Sequence, residues 1–169
     1  RLADLAEVAI DARIADARDF DVGRRFAAIF APMQLAHLLG GPAGRAAMLA
    51  RVRDHLQPGG VFAAALLATT ADAAEHSNPP LPDVLERDGW IFSSLPIEVR
   101  GLDGGLELRR LRQVVSPEGA LTEETEAIRL DDLDPPRFES EAAAAGLEAR
   151  ERIDIPPTAL SAMQALFRG

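Results

Sequence analysis

Apolar positions along this chain keep one rhythm before residue 69 and another after it. Phe26-Ala27-Ala28-Ile29-Phe30-Ala31 is a compact apolar run halted by Pro32, the pattern of a buried parallel strand. Pro42 stands at the favoured first position of a helix. Met48, Leu49, Val52 and Leu56 follow it at helical spacing, while Arg45, Arg51 and Arg53 face elsewhere. Gln57-Pro58-Gly59-Gly60 stops that helix, and Val61–Leu67 reads as the next buried strand. Strand, helix, turn, strand predicts a βαβ unit and a parallel sheet. Upstream, Arg13–Ala17 is a short candidate strand and Leu2–Ala6 the end of a helix.

Thr69 to Asp88 breaks the texture with Asn78-Pro79-Pro80-Leu81-Pro82, which is linker chemistry. Alternation then replaces helical spacing. Ile97–Arg100 and Leu106–Leu108 alternate on either side of a hairpin turn at Leu102-Asp103-Gly104-Gly105. Apolar parity slips near Arg109-Arg110, which predicts a bulge there. Ser116-Pro117-Glu118-Gly119 is a second turn, and the charged stretch Leu121–Leu130 predicts an edge strand. The middle is therefore an antiparallel meander. A helix over Pro136–Ala145, stopped by Gly146, leads to a strand over Glu148–Ile155. Ala159–Phe167 fits a helix or a final strand.

Charge follows the same divisions. Residues 1–68 carry eight arginines against seven acids, residues 69–134 six against fifteen, and residues 135–169 four against five. The expected organisation is a core part (1–68), an acidic insertion (69–134) and a return to the core (135–169). At 169 residues and 47% hydrophobic composition, the chain is long enough for a sizeable core. Its longest apolar run, eight residues, is far below the ~18 needed to span a bilayer, so no membrane is expected and cytoplasm is the default. Absence of cysteine removes thiolate chemistry, and absence of lysine removes Schiff bases and a phosphate-loop lysine. The net charge of −9 argues against nucleic acid. His37, His55 and His76 have no metal-ligand spacing, so no metal is expected.

The ordered pieces Asp16-Ala17-Arg18-Asp19-Phe20, Arg25-Phe26, Ala31-Pro32-Met33-Gln34, His37-Leu38-Leu39 and His55-Leu56-Gln57-Pro58-Gly59-Gly60 carry a resemblance. Together they resemble the second half of a class I S-adenosylmethionine-dependent methyltransferase of the bacterial small-molecule type. The resemblance covers Leu2 to about Leu67 and returns at Phe138–Ile155. It implies an α/β fold: a partial Rossmann-like doubly wound sheet, its first two strands missing, with the meander inserted. In that family an acid after the third strand lies near the adenine, which puts Asp16, Ala17 and Arg18 at the cofactor. The segment after the fourth strand lines the methionine end, which adds Ala31, Pro32, Met33 and Gln34. The implied reaction is methyl transfer from S-adenosylmethionine to a small-molecule acceptor.

Departures accompany the likeness. The family's glycine-rich loop and the ribose-binding acid have no counterpart here, and Ala27 stands where many relatives have aspartate. These point to an N-terminally truncated chain lacking about 40–70 residues, since a βαβ unit takes ~30 or more. Such a fragment is expected not to bind the cofactor alone. His37 reads either as a general base toward a substrate hydroxyl or amine, or as a packed ring between Leu35 and Leu38. His55 is expected to support the last carbonyls of its helix, and Trp90 to anchor the meander to the core. The competing readings are a non-catalytic ligand-binding or dimerisation module, which leaves a homodimer open, and a fragment of a nicotinamide-dependent oxidoreductase.

Overall fold

A computed structural model describes residues 9–67 and 82–153, together with the backbone of 163–166. Leu2–Ala6, His76 and most of the linker lie outside the described residues. Eight strands form two four-stranded sheets among them. The first has the order β1 (Phe26–Ala31), β2 (Leu56–Leu67), β8 (Met163–Leu166), β7 (Arg152–Ile153). The second is a meander of β3 (Asp83–Arg87), β4 (Trp90–Leu102), β5 (Gly105–Val115) and β6 (Leu121–Asp131). The fold is thus α/β with mostly antiparallel pairing; among the described residues only β1 and β2 run parallel.

Local chemistry explains where the elements start and stop. Pro32 lacks the N–H to continue β1, and Pro42 opens helix α1 (Pro42–His55). The Asp134 carboxylate caps helix α2 (Pro135–Ala144) by accepting the Arg137 N–H at 2.8 Å. Gly146, at φ 85°, ends it. Along β2 the positions Gly60, Phe62, Ala64 and Leu66 alternate inward. They meet Met48, Leu49 and Val52 of α1 and Phe138 and Ala142 of α2, forming the main core.

Several expectations are corrected. The apolar run of β1 forms the parallel strand, but it is the edge of its sheet among the described residues, and Phe30 is 71% exposed. Arg13–Ala17 is not a strand; its charges pair locally, Arg13 with Asp11 and Asp16 with Arg18. Arg45 does not face away from the core but is wholly buried. Asp83–Arg87, read as linker, is a strand, because Asp88 and Gly89 (φ 52° and 79°) close a two-residue turn onto Trp90. The bulge sits at Pro96–Glu98 on β4, opposite Arg110 and Arg109, so the parity slip was read on the wrong strand of the pair. Trp90 stacks on Phe92 with ring centroids 6.4 Å apart and stays 41% exposed, so it anchors nothing to the core. The strand expected over Glu148–Ile155 shrinks to Arg152–Ile153, and of the two readings of Ala159–Phe167 the strand holds, as Met163–Leu166.

Candidate functional site

The carboxyl end of β1 is where a ligand would meet a parallel sheet. Ala31 is buried there and pairs with Ala64. Pro32 then turns the chain outward, and Met33 takes a left-handed φ of 56°, uncommon for a residue with a side chain. That turn leaves the Met33 side chain 62% exposed. The Gln34 carbonyl accepts the His37 N–H at 2.9 Å and starts the short 3₁₀ turn Leu35–Leu38. Backbone polarity and a thioether are therefore what this end offers a ligand.

The loop before β1 is held by its own hydrogen bonds. The Asp16 carboxylate accepts the Arg18 N–H at 2.8 Å, Nε–H at 2.9 Å and Nη2–H at 2.7 Å. The guanidinium and backbone donors of Arg18 hold the Asp16 pKa down at about 2. Ala17 and Phe20 tuck against the main core. Phe20 lies 4.8 Å from the His55 ring, its carbonyl accepts from Arg51 Nε at 2.9 Å, and the Val22 N–H donates to His55 Nε2. His55 Nδ1–H in turn donates to the Arg51 carbonyl at 2.8 Å, the helix-end role expected of it. The loop thereby hangs from the last turn of α1 with Asp16 and Arg18 at the surface.

His37 lies where the two sheets meet. Its ring is buried, Nδ1–H donates to the Asp131 carbonyl at 2.8 Å, and Nε2 accepts the Leu67 N–H at 3.0 Å. Burial pushes its pKa down, matching a neutral ring with both nitrogens engaged. A general base needs a free nitrogen facing the acceptor, and this ring presents none. Its geometry is that of a joint between the segment after β1, the end of β2 and the end of β6.

A second joint was not foreseen. Arg45 donates from Nε and Nη2 to Glu141 at 2.6 and 2.8 Å and from Nη1 to Asp131 at 3.0 Å. The Asp131 carboxylate also accepts the Gly41 N–H. Paired this way, Arg45 is held firmly protonated, chiefly by its bonds to Glu141. Arg45 is three residues before Met48 and seven before Val52, so the helical period itself placed it on the buried stripe. Its carboxylate partners, 86 and 96 residues downstream, leave no local signal.

Beside these joints a cleft of about 770 Å³ opens between the start of α1, β6 and the start of α2. Gly40, Gly41 and Pro42 form one wall; Glu126, Ile128, Asp131, Asp132 and Arg137 form much of the other. The cleft includes none of Asp16, Ala17, Arg18, Ala31, Pro32, Met33, Gln34 or His37, and comes nearest to that set at Leu38. Among the described residues no cluster of histidine and acids has the makings of a metal site.

No family model and no curated protein matches this sequence. Solved structures do. The chain is similar to an S-adenosylmethionine-dependent methyltransferase from Clostridium acetobutylicum, with a TM-score of 0.70 at 12% identity over 99% of this chain and 67% of that one. It is similar to DesVI of Streptomyces venezuelae, with a TM-score of 0.67 at 20% identity over 91% of this chain and 62% of that one. The sugar N-methyltransferase KedS8 from a Streptoalloteichus species gives a TM-score of 0.67 at 19% identity, over 91% of this chain and 60% of that one. The chain therefore has the fold of the class I S-adenosylmethionine-dependent methyltransferases, over a little under two thirds of the length of DesVI and KedS8.

Proposed function

We propose that this chain is the acceptor-facing part of an S-adenosylmethionine-dependent methyltransferase that methylates a small molecule, an amine on a sugar-like acceptor being the best fit. The observation that carries the reading is the likeness to methyltransferase structures over nearly the whole chain, with the motif residues after β1 at a strand's carboxyl end. When bound, the cofactor supplies a methyl group already activated on a sulfonium, so the protein's task is alignment and exclusion of water.

Asp16 is assigned to the adenine side. Arg18 meets both oxygens of its carboxylate with two contacts on each, so an adenine amino donor would displace or share one of them. Ala31, Pro32, Met33 and Gln34 are assigned to the methionine side through backbone groups and the exposed Met33 side chain. The cleft is assigned to the acceptor; its lining sets Glu126, Asp131 and Asp132 against Arg45, Arg129 and Arg137, so its charges balance. The sugar N-methyltransferase among the similar structures supports an amine as the acceptor group. His37 positions the segment between β1 and α1 and takes no proton from the acceptor. Residues 1–68, 69–134 and 135–169 are read as core, insertion and return, and the cofactor's glycine-rich grip is assigned to sequence beyond this chain.

Calorimetric titration of S-adenosylhomocysteine and NADH into the natural polypeptide that carries this chain tests the reading. Binding of the first and not the second is expected, with Asp16→Ala weakening it several-fold. Binding of NADH, or of neither, overturns the methyltransferase reading; an unchanged dissociation constant for Asp16→Ala overturns only the adenine assignment.

A further inference from the structure

We propose, on the cleft's assignment to the acceptor, that the molecule bound there carries an aminoacyl unit beside its amine, and that the free edge of β6 reads this unit through the backbone of Ala127 and Arg129. Glu126, Ala127, Ile128 and Arg129 all line the cleft. Successive side chains of a strand point to opposite faces, so four neighbours in a row put the cleft against the strand's edge and not against a face. β5 is the only strand beside β6 among the described residues, which leaves that edge without a ladder partner.

Which backbone groups reach the cleft follows from the two ends of the β5–β6 ladder. The Asp132 N–H donates to the Gly104 carbonyl at 2.9 Å, and the Ser116 N–H donates to the Ala120 carbonyl at 2.9 Å. Each bond flanks a pair that is not itself hydrogen-bonded, Gly105 with Asp131 and Val115 with Leu121. Bonding alternates between those ends, so Leu130, Ile128 and Glu126 bond to β5, while Arg129, Ala127 and Thr125 turn N–H and C=O outward. The Asp131 carbonyl shares that outward parity, and it accepts from His37 Nδ1–H at 2.8 Å.

The spacing of those groups sets what they recognise. The N–H and C=O of Ala127 flank one carbon, and a partner that meets both offers a C=O and an N–H on one carbon of its own, which is an aminoacyl unit. A protonated amine donates to the carbonyl and has nothing to accept the N–H. The surroundings suit a short extended segment. Glu123, Glu124 and Glu126 guard the edge as far as the cleft, where the small, exposed Ala127 takes over. On the facing wall a Cβ at Gly40 or Gly41 would meet nothing within 4 Å, so the gap beside the edge is open. Its volume of about 770 Å³ is that of a small-molecule site (~300–1,000 Å³), room for a short segment and not for another sheet.

Titration of small amines into the natural polypeptide that carries this chain, followed by amide NMR, tests the assignment. Alanyl-alaninamide, whose second residue is an aminoacyl unit, should shift the Ala127 and Arg129 amide resonances; glucosamine and propylamine, amines with no carbonyl, should leave them in place. Alanyl-lactamide, in which an ester oxygen replaces the peptide N–H, should bind about fivefold more weakly. Ala127→Pro removes one outward N–H at an edge position that tolerates proline, and should weaken alanyl-alaninamide about tenfold. Thr125→Pro removes the next outward N–H, outside the cleft, and should leave that affinity within about twofold, circular dichroism confirming both folds. If Ala127→Pro does not fold, the amide and ester comparison on the unaltered chain decides. Unmoved Ala127 and Arg129 resonances, equal binding of amide and ester, or equal effects of the two proline variants overturn the proposal. Glucosamine binding as tightly at the same resonances overturns it too, as do Ala127 and Arg129 amides already protected from exchange before any probe is added. S-adenosylhomocysteine titrated into the same sample separates the two readings: if it binds and alanyl-alaninamide does not, only the aminoacyl class falls, and if neither binds, both fall.

Discussion

Among the described residues, fourteen buried ones from β1, α1, β2, α2 and the loops beside them form one core; the second holds Leu106 and Leu130 of the meander with Leu67 of β2, and Leu108 packs against it. The longer strands are thus in the region with the smaller core. What holds the meander is its hydrogen-bonded ladder and side-chain pairs across it, such as Arg110 with Asp83, Arg109 with Glu98 and Gln113 with Glu123. Exposed pairs of that kind contribute little, ~0.2–1 kcal/mol each. The two regions are joined where burial is deepest: His37 and Arg45 both reach Asp131 at the end of β6. Packing in one region therefore disciplines the other, and the face left exposed is free to serve contacts beyond the chain.

Matched substitutions test that contrast most strongly. Phe138→Ala in the buried layer should lower unfolding free energy by ~3–5 kcal/mol, whereas Phe92→Ala on the meander should change it by less than ~1 kcal/mol, read by urea denaturation. Equal losses would mean that the meander shares the core's burden. Arg45→Met should cost about 3 kcal/mol, the lower end for stranding buried ion-pair partners, because Asp131 and Glu141 keep some contact with water. If the meander depends on this joint, its amides should exchange faster in that variant than in Phe92→Ala.

Two glycines sharpen the comparison at smaller amplitude. A Cβ on Gly44 would run into the Leu39 carbonyl oxygen, so Gly44→Ala should destabilise by ~1–3 kcal/mol. A Cβ on Gly101 in β4 meets nothing within 4 Å, and Gly101→Ala should be neutral or slightly stabilising. Reversal of that order in thermal melts would contradict the packing described. The smallest effect is a pH slope. Burial lowers the His37 pKa below its ordinary 6.5, so the unfolded chain takes up the proton first as pH falls. The stability His37 contributes is complete above pH 6.5 and lost as pH drops through its lowered folded value. The melting temperature should fall from pH 7 toward pH 5, and His37→Gln should be less stable at pH 7 yet shallower in slope. An unchanged slope would mean that the joint does not titrate.

Much of the element order was legible. Pro32, Pro42 and Gly146 act within a few residues of themselves, so the strand, helix and stop they imply need no distant partner. β3 was missed because the prolines before it read as linker and masked the Asp88-Gly89 turn that returns the chain onto Trp90. The candidate site was legible only as a set of segments. The resemblance named Asp16 and the stretch after β1, but the cleft is walled by residues from α1, β6 and α2 that no motif contained.

Burial shows where the line falls. The sequence by itself determined the local conformations, the change from helical to alternating rhythm, and the acidic bias of the middle, because each is set by neighbours a few residues apart. The helical period put Arg45 on the buried stripe, but only the tertiary structure brought the carboxylates that keep it there, chose the packed reading of His37 and left Phe30 and Trp90 out. An arginine can be buried only where carboxylates meet its guanidinium, and an aromatic ring only where another surface covers it. Those partners come from 86 residues away or more for Arg45, or are absent among the described residues for Phe30, and no local pattern records them.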